Sequence, residues 1–318
     1  MTTADRPELP VLRVGTRGSR LALTQTRAAA RAVAAAGGLE PELVTIRTEG
    51  DVLTGPLSQM GGTGVFATAL RSALLAGTVD LAVHSLKDLP TAPVPGLVVA
   101  AVPEREDPRD ALCARDGLTL RGLPAGAKVG TGSPRRAAQV RAARPDLEIV
   151  DIRGNVGTRL SRVAPGDLDA VVLAASGLRR LGMEEAITEL IDPSVMLPAP
   201  GQGALALECR TEDASGGTPL AAGLAAVDHA PTRLSVTAER ALLTRLEAGC
   251  AAPVGTFGRF EGDDLVLDVV VADPDGSELM RRVGRTPRPT VDTARQLGVR
   301  LAEELLADGA GRLARLTL

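Results

Sequence analysis

Tryptophan and tyrosine are absent, and phenylalanine occurs three times in 318 residues. This argues against the aromatic stacking platform on which single-stranded nucleic acid is held. Histidine is scarce: His84 and His229 are the only two, too few for a conventional zinc site. The cysteines, Cys113, Cys209 and Cys250, are odd in number and scattered, which is not a disulfide framework. No run reaches the roughly 18 consecutive apolar residues of a membrane helix. The opening MTTADRPELP carries acids and prolines and no apolar h-region, so the expected compartment is the cytoplasm. A net charge of −3 argues against general nucleic-acid binding.

What remains is a soluble globular composition, 44% apolar and 24% charged, in a chain long enough for two or three domains. Its basic residues are almost all arginine, Lys87 and Lys128 being the only lysines. The first two-thirds alternates short apolar runs with amphipathic stretches. LRVGTR (12–17) reads as a strand, and 19–37 as a helix with Ser19 as N-cap and Gly37 as its stop. ELVTIRT (42–48), VDLAVHS (79–85) and LVVAAVP (97–103) read as strands, with a helix over 65–77. The rhythm restarts near residue 105: strand then helix at 127–144, at 147–163 and at 168–182, and a strand at 204–210. This βαβ pattern predicts two similar α/β lobes. From about 230 it changes to a helix over 233–249, with Thr232 as cap and Gly249 at its end. Three β-runs (256–262, 264–273, 278–286) joined by hairpin-like turns and a last helix over 290–309 follow. That is a small α+β domain.

Three strand-to-helix turns carry arginine: GTRGSR (15–20), GTGSPRR (130–136) and IRGNVGTR (152–159). In open α/β sheets the crevice lies beyond the carboxyl ends of the strands, where helix N-termini already attract anions. Arg17, Arg20, Arg135, Arg136, Arg153 and Arg159 would make that crevice strongly anion-seeking. A single arginine in such a turn is accounted for by solvent or a nearby acid. Three equivalent turns point to a polyanionic ligand. Lys87 and Asp88, in VHSLKDLPT, fall on a loop at the same edge. Asp88 is either half of a loop ion pair or a carboxylate that steadies a developing positive charge. His84 reads as a hydrogen-bonded strand-end residue, and Cys113 and Cys209 as buried. Cys250, just past a helix in a small-residue loop, reads equally as a small buried hydrophobe or a functional thiol. A cysteine nucleophile would need a base, and the nearby sequence offers none. A two-lobed anion-binding protein would explain the arginines but not Cys250 or the third domain.

DLAVHSLKDLPT, EREDPRDAL, VGTGSPRRAAQV, IRGNVGTRL, LAASGLRRLG, PAPGQGAL and LEAGCAAPVG occur in this order, and on them the chain resembles the porphobilinogen deaminase (hydroxymethylbilane synthase) family over nearly its whole length. The resemblance implies two lobes like those of type II periplasmic binding proteins plus a small α+β C-terminal domain. Lobe one would comprise 1–104 with a return segment at 200–224, lobe two 105–199, and the third domain 230–318. It implies a dipyrromethane cofactor, two linked pyrroles held by a thioether at Cys250, that primes the addition of four porphobilinogen units with loss of ammonia. Asp88 matches the family's catalytic aspartate, which holds pyrrole N–H groups and stabilises cationic states. Lys87, Asp88, Thr131, Ser133, Arg135 and Arg136 match positions that hold the cofactor. Arg17, Ser19, Arg153, Arg159 and Arg180 match positions that bind incoming rings, each of which carries an acetate and a propionate. No metal and no nucleic-acid partner is implied, and the family is typically monomeric. The chain departs from the family's commoner patterns at Thr63, where a lysine is usual, at TEGD (48–51) for TRGD, and at TGSPRR for TSSLRR. Pro134 suits the first helical position of that last turn.

Overall fold

The structure, a computed structural model, describes residues 9–46, 65–248 and 252–314. The predicted features at 48–51, Thr63, Gly249 and Cys250 lie outside the described residues. Among the described residues no helix is long and apolar enough to cross a membrane.

The first sheet begins with β1 (Val11–Thr16), α1 (Arg20–Gly37), β2 (Glu40–Thr45), α2 (Val65–Leu75), β3 (Leu81–Ser85) and β4 (Leu97–Ala101). The chain then crosses over and builds a second sheet from β5 (Asp110–Ala114), β6 (Lys128–Gly130), α3 (Pro134–Ala143), β7 (Glu148–Val150), α4 (Val156–Leu160), β8 (Ala170–Ala174), α5 (Ala175–Arg180) and β9 (Glu189–Leu190). It crosses back to add β10 (Leu205–Arg210) and α6 (Pro219–Val227) to the first lobe. The strand orders are β2-β1-β3-β10-β4 and β7-β6-β8-β5-β9. These are one topology built twice. In each sheet a parallel trio is followed by an antiparallel strand, β10 or β5, that arrives from the other lobe.

The inner strands β3, β5, β8 and β10 are covered on both faces, which is why they read as near-continuous apolar runs. Alternate residues of β3 serve opposite faces: Leu81 and Val83 join the core under α1 and α6, while Ala82 meets Leu70 and Leu74 of α2. In lobe two Leu112 and Val172 pack with Val140 of α3, and Cys113, Val171 and Leu173 pack on the other side with Leu178. The third domain is an antiparallel meander, β11 (Val254–Glu261), β12 (Asp264–Ala272) and β13 (Leu279–Pro287), covered by α7 (Ala230–Arg245) and α8 (Val291–Ala307), with a short α9 (Ala310–Leu313). The helices meet at Gly298, where a Cβ would sit 2.1 Å from the Ala238 carbonyl oxygen.

Three local expectations are corrected. The glycine that ends α1 is Gly38, left-handed at φ 67°, and not Gly37. Helix α7 starts at Ala230 because Pro231 fits its first turn, so Thr232 lies inside the helix. Its hydroxyl pairs with His229 Nδ1 at 2.8 Å and accepts the Arg105 N–H at 3.1 Å. Strands β5 and β9 and helix α6, absent from the periodicity reading of the sequence, complete the two lobes.

The two crossings run side by side and are fastened at one point. Glu239 of α7 is fully buried and accepts from Arg105 Nη1 at 2.6 Å, from the Gly201 N–H at 2.6 Å and from the Gly258 N–H at 2.7 Å. One carboxylate thereby holds the outgoing crossing, the return crossing and the third-domain sheet. Arg105 also donates through Nε to the Gln202 carbonyl at 2.7 Å. The strands pass so closely that only glycine serves at 203: φ is +87°, and a Cβ would lie 2.3 Å from the Glu106 carbonyl oxygen. Replacing Glu239 with glutamine removes the charge and leaves the Arg105 guanidinium buried beside a neutral partner. A loss of about 3–5 kcal/mol is expected, read as a lowered thermal midpoint; an unchanged midpoint would remove Glu239 from this role.

Candidate active site

Two turns of lobe one face two of lobe two across the crevice. In lobe one, Ser19 caps α1 and accepts the Ala22 N–H at 3.3 Å. The first turn of that helix holds no acid, so its positive end is not offset. Arg17, Ser19 and Gln25 line a cavity of about 90 Å³ together with His84, Ser85 and Asp88. Asp88 closes a single 3-10 turn, Leu86–Asp88, that follows β3, and its side chain is exposed. The turn is braced from behind by Arg240 of α7, which donates to the carbonyls of Leu89 and Pro90, both at 2.8 Å. A larger cavity of about 480 Å³ lies on that rear side, lined by Leu86, Val99, Val236 and Arg240. It contains none of the predicted site residues. Arg20 does not line this cavity; its Nη2 donates to the Leu181 carbonyl of lobe two at 3.5 Å. His84 is buried at the end of β3, with Nε2 3.1 Å from the Glu208 carboxylate.

Lobe two contributes the start of α3. Ser133 caps it, with Pro134 in its first turn, and the Ser133 N–H donates to Thr131 Oγ1 at 3.2 Å. Arg135 and Arg136 are buried, not solvated. Between them sits Asp110, the fully buried first residue of β5. Arg135 Nη1 donates to it at 2.7 Å and to the Leu197 carbonyl at 2.6 Å. Arg136 donates through Nε at 2.9 Å and through Nη1 to the Val172 carbonyl at 3.0 Å. Arg135 Nε is buried with no acceptor among the described residues. Burial alone would raise the Asp110 carboxyl, but the two guanidiniums outweigh it and hold it far below the carboxylate range.

One acid therefore faces two arginines, and the surplus charge spreads. Burial pushes the Lys87 ammonium down to about 8, Asp88 and Asp110 opposing that shift and Arg136 and Arg135 adding to it. Arg159 is lowered by burial and then by Arg136 and Arg153, against Asp151 and Asp88. Its Nε donates to the Gly154 carbonyl at 2.7 Å. Lys87, Asp88, Arg135, Arg136, Arg153 and Arg159 thus form one electrostatic group across the crevice. Arg153 is exposed and pairs with Asp151 at 3.3 Å, a contact of little strength in water. Arg180 lies apart: its Nη2 donates to the Gly203 carbonyl at 2.7 Å, and the charge it feels is that of Glu106. Cys113 and Cys209 are buried, and burial pushes both thiols up to about 11, so neither is a thiolate at neutral pH.

Asp110, Gln202, Glu239 and Arg105 were not predicted as site residues. All but Glu239 lie in EREDPRDAL and PAPGQGAL. The available signal was the adjacent pair Arg135–Arg136, which needs a counter-charge from elsewhere once it is buried.

The model of a domain described as "Porphobilinogen deaminase, dipyromethane cofactor binding domain" matches residues 12–216, and that of "Porphobilinogen deaminase, C-terminal domain" matches residues 233–307. The chain is 60% identical over 311 residues to the porphobilinogen deaminase of Leifsonia xyli, covering 96% of this chain and 94% of that protein. It is 56% identical over 306 residues to the porphobilinogen deaminase of Thermobifida fusca, covering 95% of each. Among solved structures, a periplasmic substrate-binding protein of an ABC transporter from Coxiella burnetii overlaps 72% of this chain and 96% of its own, at 18% identity and a TM-score of 0.44.

Asp110→Asn is expected to lower the thermal midpoint at neutral pH. The native Asp110 carboxyl ionises more readily than the unfolded one, so its contribution is complete above the unfolded value of about 3.9 and is lost as pH falls below it. The gap between variant and wild type should close on acidification, and a pH-independent gap would contradict the charge argument.

Proposed function

The chain belongs to the porphobilinogen deaminase family and condenses porphobilinogen units head to tail into hydroxymethylbilane for tetrapyrrole biosynthesis, with a dipyrromethane as its cofactor, and we propose that the charged group across the crevice carries this chemistry. The observation that supports the assignment most directly is the start of α3, where the single carboxylate of Asp110 accepts from the buried guanidiniums of both Arg135 and Arg136 and leaves positive charge in excess. A chain of pyrroles, each bearing an acetate and a propionate, supplies the missing negative charge in the right chemical form.

The donor set fits the cofactor. Lys87, Arg135 and Arg136 hold its carboxylates, Thr131 and Ser133 line its place at the start of α3, and Cys250 bonds to it through a thioether. When bound, it supplies the free pyrrole carbon from which the product grows. Arg17 and Ser19, at the unbalanced end of α1, receive the incoming ring's acids. Arg153 and Arg159 guide the lengthening chain, and Arg180 does so from beside the return crossing. Asp88 accepts pyrrole N–H groups and stabilises the positive charge that develops as ammonia leaves. It is exposed toward the crevice and fixed from behind by Arg240, so it meets the substrate in a set position. Lobe one (1–104 with 200–224) carries the aspartate, lobe two (105–199) the buried arginines, and the third domain (230–318) the anchoring cysteine. The enzyme works as a monomer, as the resemblance implies.

Purified protein from a host with a working tetrapyrrole pathway should exceed its sequence mass by one dipyrromethane. Cys250→Ala should lose both the adduct and turnover, and an unmodified wild-type mass would count against the assignment. Asp88→Asn should fold normally and turn over about 10²–10⁴-fold more slowly. Full activity in that variant would remove Asp88 from its role.

A further inference from the structure

PAPGQGAL, the return crossing, is among the motifs that mark the family, yet nothing above gives its glutamine a task. Gln202 is fully buried. Its Oε1 lies 3.3 Å from Lys87 Nζ of lobe one and 3.5 Å from Arg136 Nη2 of lobe two. Its Nε2 donates to the Pro108 carbonyl of the outgoing crossing at 2.7 Å and to Asp110 Oδ1 at 2.8 Å. The two lone pairs and two N–H groups of the amide are therefore all engaged. Its orientation is forced. A flip would set the NH₂ group against two cations and the oxygen against a carboxylate. No other side chain of this length both accepts and donates. Glutamate keeps the acceptor but puts a second acid beside Asp110, and methionine keeps only the shape.

We propose that Gln202 is a positioning residue for cofactor assembly: its amide holds Lys87 of one lobe and Arg136 of the other at a fixed separation, so that they meet the dipyrromethane's carboxylates as a pair. The inference rests on the reading of Lys87 and Arg136 as cofactor ligands. Because the glutamine sits on one crossing and bonds to the other, a shift of the lobes at this hinge alters the spacing between the two cations. The amide oxygen also favours the charged form of Lys87, as do Asp88 and Asp110, while Arg136 and Arg135 oppose it.

The test follows loading and not turnover. Protein made in cells unable to supply porphobilinogen is given porphobilinogen, and the dipyrromethane adduct is followed by intact mass from about pH 6 to about pH 9, across the range in which Lys87 loses its proton at about 8. Loading needs the ammonium, so in the wild type it should fall as pH rises through that value. Gln202→Met removes the acceptor. It should slow loading about tenfold or more at neutral pH and move the fall to lower pH. Gln202→Glu keeps an acceptor and adds negative charge, so it should move the fall to higher pH. A merely structural role would reduce the folded fraction without moving the two variants in opposite directions. Wild-type rate and midpoint in the folded variants would overturn the proposal. If the methionine variant does not fold, the direction of the glutamate variant decides. Lys87→Met, run alongside, separates the two levels. If it loads like wild type, the assignment of Lys87 itself fails. If it does not load while Gln202→Met loads normally, only the role of Gln202 fails.

Discussion

A chain that passes twice between two lobes must control where those passages lie, and here a single buried carboxylate does so. Glu239 takes the Arg105 guanidinium of the outgoing passage, the Gly201 N–H of the return and the Gly258 N–H of the third-domain sheet. This junction joins both passages to the third domain, while Arg240 ties α7 directly to the Leu86–Asp88 turn and Gln202 links Lys87 to Arg136. An unpaired charge at such depth is costly, whereas the closed set of hydrogen bonds is specific in direction. The junction therefore sets geometry more than it adds net stability.

The crevice uses the opposite arrangement. Several of its cations are oriented in part by carbonyl oxygens and not by acids alone: Arg159 by Gly154, Arg135 by Leu197 and Arg136 by Val172. A carbonyl fixes a guanidinium without neutralising it. Asp110 is the one buried acid among them, and it is outnumbered. The result is a preorganised positive field that a polycarboxylate can complete, with little rearrangement needed on binding. The same field reaches the exposed Asp88, whose carboxylate is felt by both Lys87 and Arg159.

Much of this was legible beforehand where the cause is local. Ser19 and Ser133 cap helices because their hydroxyls reach a free N–H one turn on, and Pro134 fits a first turn, so both turns could be placed from residue type alone. The end of α1 slipped by one residue because Gly37 and Gly38 both offer a stop. The start of α7 was missed because Pro231 allowed the helix to begin before Thr232. Strand β5 carries no periodic signal because DALCA is buried on both faces and so shows no alternation. Gln202 and Glu239 carry no local signal, since their side-chain partners lie 38 or more positions away except Gly258, 19 away.

The sequence by itself determined the family, the three-part architecture, the arginine-bearing turns and the residues that match a cofactor site. Each of these resides in residue type and order. Only the tertiary structure decided that Arg135 and Arg136 are buried against Asp110, that Arg180 turns to the return crossing, and that an amide from one crossing reaches cations of both lobes. Those outcomes depend on which charges are brought together away from water. Electrostatic strength there is set by depth and neighbours, neither of which is written in the order of the residues.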